Sequence, residues 1–263
     1  MNLQDVLQAG KLLQAAYHDD QRPNYDNQSY EGFTVLKTIY ANNLATDLSK
    51  LDLTRYVSIG FIAQNAADAG EFVIVIRGTV GIAEWIQDAK LLPIPFSAVP
   101  GAGFTEDGFT DMYNSFRLAP DASTAQVVPS LAGILGGNIT KLTICGHSLG
   151  SALATLLALD TVVHTAYTAP HVITFASPRV GDLHFSNYFN HAVPNCDRIV
   201  NRKDLVPKLP PPPLFIHVGD ETELNPGSSV ADSLVCQHAM DTYMFLLDPA
   251  NNPLDQGCQP KPA

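Results

Sequence analysis

The sequence is poor in tryptophan, cysteine and positive charge. It holds one tryptophan and four cysteines in 263 residues, and the cysteines are too far apart for the paired spacing of a metal site. Lysine and arginine number 15 against 26 acidic residues, for a formal net charge of −11. We therefore expect no metal and no nucleic-acid partner, and we expect repulsion from anionic membrane surfaces.

Long apolar runs, internal repeats and a signal-peptide pattern are also missing. No run reaches the roughly 20 apolar residues that span a bilayer, which predicts a soluble protein without stable membrane insertion. Residues 1–5 lack the basic start and apolar segment of a signal peptide. This predicts an intracellular protein, or an extracellular one if a leader was removed. With no clean boundary in the chain, we expect a single domain over 1–263.

Apolar periodicity predicts strands that alternate with helices. This pattern is typical of an α/β fold with a mostly parallel central sheet flanked by helices. Strands are expected at 33–40, 56–64, 72–76, 142–145, 171–176, 197–201 and 214–218. Helices are expected at 3–19, 82–90, 182–192 and 238–247, with two more between 109 and 135 and one after residue 150.

The most informative segment is 146–150, which reads Gly-His-Ser-Leu-Gly and has Ser148 at its centre. A buried strand is predicted before it and a run of strong helix formers follows it. Strand, tight turn and helix is the context of a nucleophile elbow, in which a strained turn exposes the serine at the edge of the sheet. We therefore predict Ser148 as a nucleophile.

A serine hydroxyl needs a histidine base and a carboxylate that orients the histidine. In elbow-containing hydrolases these partners follow the serine in the order acid, then histidine. His217 and His238 satisfy that order, and we favour His238 because His217 lies within an apolar run. Asp204 follows a predicted strand at its carboxyl end, where catalytic groups gather in such sheets. Asp220 remains its main rival.

Four motifs, taken in order, resemble the class 3 lipases, the family of the filamentous-fungal triacylglycerol lipases. They are Arg-Gly-Thr at 77–79, the elbow at 146–150, Ser-Pro-Arg-Val-Gly-Asp at 177–182 and Asn-Arg-Lys-Asp-Leu-Val-Pro-Lys-Leu-Pro-Pro at 201–211. The resemblance implies an α/β-hydrolase fold. It also implies a catalytic triad of Ser148, Asp204 and His238 that needs no metal or organic cofactor.

The chain departs from the family pattern at three points. Ser151 stands where the family usually has a second glycine, and Glu106 stands where many members have histidine. The N-terminal cysteine that pairs with the C-terminal region in some fungal members is absent. A bond between Cys236 and Cys258 is possible, but the sequence alone does not decide it.

Two hydrogen-bond donors are expected at an oxyanion hole. The N–H of Leu149, directly after the nucleophile, is one of them. Thr79, in the loop after the strand 72–76, can supply the second or can simply cap the next helix. The family resemblance implies that Thr79 is the oxyanion residue.

The segment at about 81–90 is predicted to be a short amphipathic helix. Its apolar residues fall at i, i+3, i+4 and i+7 and share one face: Ile82, Trp85, Ile86 and Ala89. By spacing alone this is a surface helix with one face in the core. The resemblance implies a lid that covers the pocket and opens at a lipid–water interface.

These observations predict a serine carboxylester hydrolase, specifically a triacylglycerol lipase, whose partner is a lipid or ester substrate at an interface. The aromatic lid face favours a lipase over the feruloyl esterases of the family. A carboxylesterase or a phospholipase remains an alternative. In a different class, the alternative is a non-catalytic lipid-binding or interaction module.

The proposed lid can be tested through its tryptophan. Burying a side chain of this size contributes about 2–3 kcal/mol, so Trp85→Ser should weaken action on emulsified long-chain triglyceride by about tenfold or more. Hydrolysis of a dissolved short-chain ester should change much less, because Trp85 lies outside the predicted triad. Rates on both substrates test this, and an equal loss on both would make Trp85 an ordinary core residue.

Overall fold

A computed structural model describes residues 1–19, 24–42, 56–78, 92–120 and 126–260. The predicted oxyanion residue Thr79 and the predicted lid, with Ile82, Trp85, Ile86 and Ala89, lie outside the described residues. The strands in chain order are β1 Ser29–Tyr30, β2 Phe33–Asn42, β3 Tyr56–Asn65, β4 Glu71–Ile76, β5 Pro93–Pro95, β6 Phe104–Glu106, β7 Lys141–His147, β8 His171–Phe175, β9 Cys196–Asn201 and β10 Asp220–Leu224.

Eight of these strands form one mixed sheet, in the order β1-β2-β3-β4-β7-β8-β9-β10. The pairs from β1 to β4 are antiparallel, and the pairs from β4 to β10 are parallel. The predicted mostly parallel central sheet is therefore confirmed. In its register Ile76, at the end of β4, pairs with Gly146 at the end of β7. The carboxyl ends of the two strands thus meet at one edge, where a site can form.

Helices cover both faces of the sheet. They are α1 Leu3–His18, α2 Asp107–Asn114, α3 Val127–Leu135, α4 Leu149–His164, α5 Leu183–Ala192, α6 Leu234–His238 and α7 Met240–Leu247. One apolar cluster joins the sheet to α2, α3, α4 and α5, and a second joins it to α1 and α7. The protein therefore has three layers, with the sheet in the middle.

The strand β4 shows why the sheet is covered on both faces. Ile74 and Ile76 belong to the first cluster, whereas Val73 and Val75 belong to the second. Successive side chains of a strand point to opposite faces, so a continuous β-branched run suits a strand that is buried on both.

Two of the predicted elements are wrong in detail. Residues 214–218 do not form a strand. Ile216 makes a single bridge to Gly181, and the last strand of the sheet is β10. The predicted helix 238–247 begins later, as α7 at Met240, and the extended residue Ala239 separates it from the short helix α6. His238 therefore ends a helix rather than beginning one.

The cysteines divide into one disulfide and two thiols. Cys236 and Cys258 are bonded, which attaches the C-terminal segment to α6. Cys145 and Cys196 are free and buried. In the described parts of the chain, no helix is long and apolar enough to cross a membrane.

Candidate active site

Ser148 lies in a strained turn between β7 and α4. Its backbone has φ 59° and ψ −131°, a region that costs a non-glycine residue of order 1–3 kcal/mol. The surrounding structure holds it there, because the Ser148 N–H donates to the carbonyl oxygen of Phe175 on β8 at 2.9 Å. Strand, strained serine and helix together match the elbow that the sequence predicts.

Glycine is required on both sides of this serine. A Cβ atom at Gly150 would lie 2.3 Å from the carbonyl oxygen of Ile76, at the end of β4. A Cβ atom at Gly146 would lie 2.3 Å from the carbonyl oxygen of Gly150. The next residue, Ser151, is fully buried and its hydroxyl donates to the Phe175 carbonyl at 2.7 Å. The departure from a second glycine is thus accommodated by a hydrogen bond.

Asp204 lies in the turn that follows β9 and is completely buried. Its Oδ2 accepts from the Tyr243 hydroxyl and from His238 Nδ1, both at 2.8 Å. Its Oδ1 accepts from the Val206 N–H at 3.0 Å. Burial and the adjacent Asp204 carboxylate raise the pKa of Tyr243 well above its ordinary value, which keeps this hydroxyl protonated as a donor.

The segment that carries His238 is tied to the strand that carries the acid. The Asn201 side-chain amide, at the end of β9, donates to the backbone carbonyl of Gln237 at 2.7 Å and to its side-chain oxygen at 2.9 Å. The disulfide from Cys236 adds a covalent tie on the other side of Gln237. The two residues that precede His238 are therefore both anchored, which holds His238 within reach of Asp204.

The structure places the alternative candidates, Asp220 and His217, away from the pair formed by Asp204 and His238. Asp220 is exposed and begins β10, where it pairs with Asp197 at the amino end of β9. It therefore lies near the amino ends of these parallel strands, whereas Asp204 follows the carboxyl end of β9. His217 Nε2 bonds the carbonyl oxygen of Pro207 at 2.8 Å. Burial and the nearby arginines lower the pKa of His217 to about 3, so it stays neutral.

Two atoms of the predicted triad have no hydrogen-bond partner among the described residues. They are Ser148 Oγ and His238 Nε2, and both are buried. His238 Nδ1 must donate to the carboxylate, so Nε2 carries the lone pair in the neutral ring. Leu149 is the first residue of α4, and its N–H is one of the four that no intrahelical carbonyl accepts.

Sequence reasoning missed three side chains that contact the predicted triad or its neighbours: Tyr17, His147 and Tyr243. His147 bonds the Tyr17 hydroxyl at 2.7 Å, and its ring centroid lies 4.8 Å from that of His238. The sequence carries no signal for these contacts.

Glu106 caps α2, because its carboxylate accepts from the Phe109 N–H at 2.8 Å. Across the described ranges, no group of three or more His, Cys, Asp or Glu is placed to hold a metal ion.

The sheet order, the strained serine and the helix that follows it define an α/β-hydrolase fold. The family model described as Lipase (class 3) matches residues 73–214, more than half of the chain. The chain belongs to the class 3 lipase family. It is similar to the solved structure of Rhizomucor miehei triacylglyceride lipase, with 25% identity and a TM-score of 0.63 over 84% of this chain and 79% of that one.

Relatives in sequence carry two kinds of name. A protein named phospholipase A1-II 6, from Oryza sativa subsp. japonica, is 32% identical over 208 residues, which cover 65% of this chain and 49% of the relative. A protein named lipase, from Rhizomucor miehei, is 34% identical over 155 residues, which cover 56% of this chain and 40% of the relative. The chain thus spans about half or less of the length of these relatives.

The close approach at Gly150 predicts a contrast between two helical glycines. Gly133, in α3, has open space where a Cβ would stand, so Gly133→Ala should stabilise the protein by up to about 1 kcal/mol through helix propensity. Gly150→Ala should instead destabilise it by about 1–3 kcal/mol or more through overpacking. Thermal unfolding of the two variants checks this. Equal Tm values would mean that the elbow does not need glycine at 150.

Proposed function

We propose that this protein is a serine carboxylester hydrolase in which Ser148 is the nucleophile, His238 the general base and Asp204 the orienting acid. The observation that carries the proposal is the buried hydrogen bond between Asp204 and His238. It leaves the second ring nitrogen of His238 buried and unpaired. The His238 ring packs against His147, the residue next to the strained serine.

In the first half of the reaction, the Ser148 hydroxyl attacks the ester carbonyl while His238 Nε2 takes its proton. The imidazolium that forms is stabilised by the Asp204 carboxylate, which the Tyr243 hydroxyl holds in place. The carbonyl oxygen gains negative charge, and the Leu149 N–H is the donor assigned to it, with Thr79 as the second. His238 then returns the proton to the leaving alcohol, and an acyl-serine ester remains.

In the second half, water repeats the same sequence of proton transfers. His238 Nε2 takes a proton from water as its oxygen attacks the acyl-serine carbonyl. The tetrahedral intermediate collapses when His238 protonates Ser148 Oγ. The products are a carboxylic acid and the free enzyme, and no metal or organic cofactor takes part.

For the substrate we propose triacylglycerol at a lipid–water interface. The apolar face of the predicted lid and the similarity to a fungal triacylglyceride lipase support this choice. The second candidate is a phospholipid, cleaved as a phospholipase A1 would cleave it, because the rice relative carries that name. Rates on p-nitrophenyl esters from short to long chains, on emulsified triglyceride and on phosphatidylcholine vesicles distinguish these from a carboxylesterase, which prefers the short soluble esters.

The nucleophile is tested with a covalent probe. A serine-directed fluorophosphonate should label the protein, and Ser148→Ala should abolish the labelling. It should also lower turnover by on the order of 10⁴ to 10⁶. Ser151→Ala provides the matched control. The Ser151 hydroxyl donates to a carbonyl and is not the group that reacts, so this variant should still be labelled at Ser148. A variant Ser148→Ala that keeps more than about a tenth of the activity would exclude Ser148, and a wild-type chain that never labels would favour the binding-module alternative.

The acid is tested by Asp204→Asn with Asp220→Asn as its control. The amide removes the charge that stabilises the His238 cation, so turnover should fall by about 10⁴. Asp220 is exposed at the amino end of β10, away from His238, and its substitution should leave turnover within about twofold, as is usual for surface changes. Steady-state kinetics on a soluble ester measure both. The reverse pattern would move the role to Asp220.

A further inference from the structure

A tyrosine and a histidine outside the proposed triad connect two parts of the site. Tyr17 lies in the last turn of α1, and its hydroxyl is 2.7 Å from His147 Nδ1. The same hydroxyl accepts from the N–H of Gly78 at 2.8 Å. On its other side, His147 Nε2 lies 2.9 Å from the backbone carbonyl oxygen of His238. A continuous line of hydrogen bonds therefore runs from Gly78 to His238.

The direction of every hydrogen in this line is determined by chemistry. A carbonyl oxygen only accepts, so His147 Nε2 must carry the hydrogen that bonds His238. In a neutral ring His147 Nδ1 is then an acceptor, and the Tyr17 hydroxyl must donate to it. The Tyr17 oxygen is left to accept from Gly78, as observed. One tautomer of His147 thus satisfies all three bonds.

The surroundings keep His147 in that neutral form. The residue is buried. Burial lowers the pKa of His147 well below its ordinary value, and the nearby His238 lowers it further. A protonated ring would lose its Nδ1 acceptor and could not receive the Tyr17 hydroxyl hydrogen.

The two ends of the line are functionally related. Gly78 precedes the predicted oxyanion residue, and a Cβ atom placed on it would lie 2.9 Å from Ser148 Cβ. At the other end, His238 is the last residue of a five-residue helix. Tyr17, His147 and His238 also line a cavity of about 770 Å³.

We propose that Tyr17 and His147 act as one positioning relay, which sets the backbone, and hence the ring, of His238 relative to Ser148 and the loop at Gly78. The inference rests on the proposed function. Neither residue reaches the reacting atoms in this scheme, because both ring nitrogens of His147 and the Tyr17 hydroxyl are occupied. They are positioning residues, and their effect falls on kcat rather than on KM.

The first test compares two tyrosine hydroxyls. Tyr17→Phe removes the hydroxyl of the relay. Tyr25→Phe is the matched control, because Tyr25 is fully buried and its hydroxyl donates to the Ala16 carbonyl, one residue from Tyr17. Small misplacements of a catalytic group cost up to about 10²-fold in rate, so we expect Tyr17→Phe to lower kcat on a soluble short-chain ester by about tenfold with KM nearly unchanged. Tyr25→Phe should change kcat by less than about twofold, although it also loses a buried hydrogen bond and some stability.

A double-mutant cycle tests whether the two residues act as one unit. His147→Phe keeps an aromatic ring but removes both hydrogen bonds, and His147→Gln keeps a donor that can reach the His238 carbonyl. If the relay is one unit, the double variant of Tyr17→Phe and His147→Phe is no slower than the worse single variant. His147→Gln should recover part of the lost kcat. If His147→Phe fails to fold, His147→Gln takes its place in the cycle.

Two results would overturn the relay. One is a kcat for Tyr17→Phe that equals that of Tyr25→Phe, and the other is a double variant whose losses multiply. Fluorophosphonate labelling of the wild-type protein separates this failure from a failure of the proposed function. A chain that labels at Ser148 while Tyr17→Phe stays fully active loses only the relay, whereas a chain that never labels loses the hydrolase assignment itself.

Discussion

The candidate site depends on one buried carboxylate. A charge removed from water destabilises a fold unless hydrogen-bond donors surround it. Asp204 is completely buried, and its donors come from three segments: Val206 from its own loop, His238 from the end of α6 and Tyr243 from α7. These segments must close around the same group for any of them to be stable. The hydrogen bonds that stabilise the buried charge of Asp204 therefore also orient the ring of His238.

Much of the fold could be predicted because the central strands have a simple physical pattern. A β-branched run such as 73–76 is suited to a strand covered on both faces, and it lies in one, β4. The errors lie next to the last strand, where apolar character and strand position do not coincide. Four of the five residues at 214–218 are apolar, and Phe215 is fully buried, yet the segment packs as a loop. The real edge strand, β10, reads Asp-Glu-Thr-Glu-Leu, which no apolar alternation marks.

The candidate site was predictable in outline and not in detail. Chain order and motif resemblance were enough to choose Asp204 and His238, and the structure joins them by a hydrogen bond. Tyr17 and His147 are 130 positions apart, and Tyr243 is 39 positions from Asp204. Their contacts arise because α1 and α7 pack on the same face of the sheet. The packing of these two helices exists only in the folded protein, so no spacing within the sequence predicts it.

The edges of the sheet have a consequence for how the protein behaves at high concentration. Exposed edge strands present unpaired backbone groups that invite pairing with another copy. At one edge β1 is only two residues long, which offers little length for such pairing. At the other edge β10 exposes Asp220, Glu221 and Glu223. Glu221 and Glu223 form ion pairs with Arg198 and Arg202, so this edge is lined with charged side chains, which disfavour growth of the sheet from molecule to molecule into a fibre.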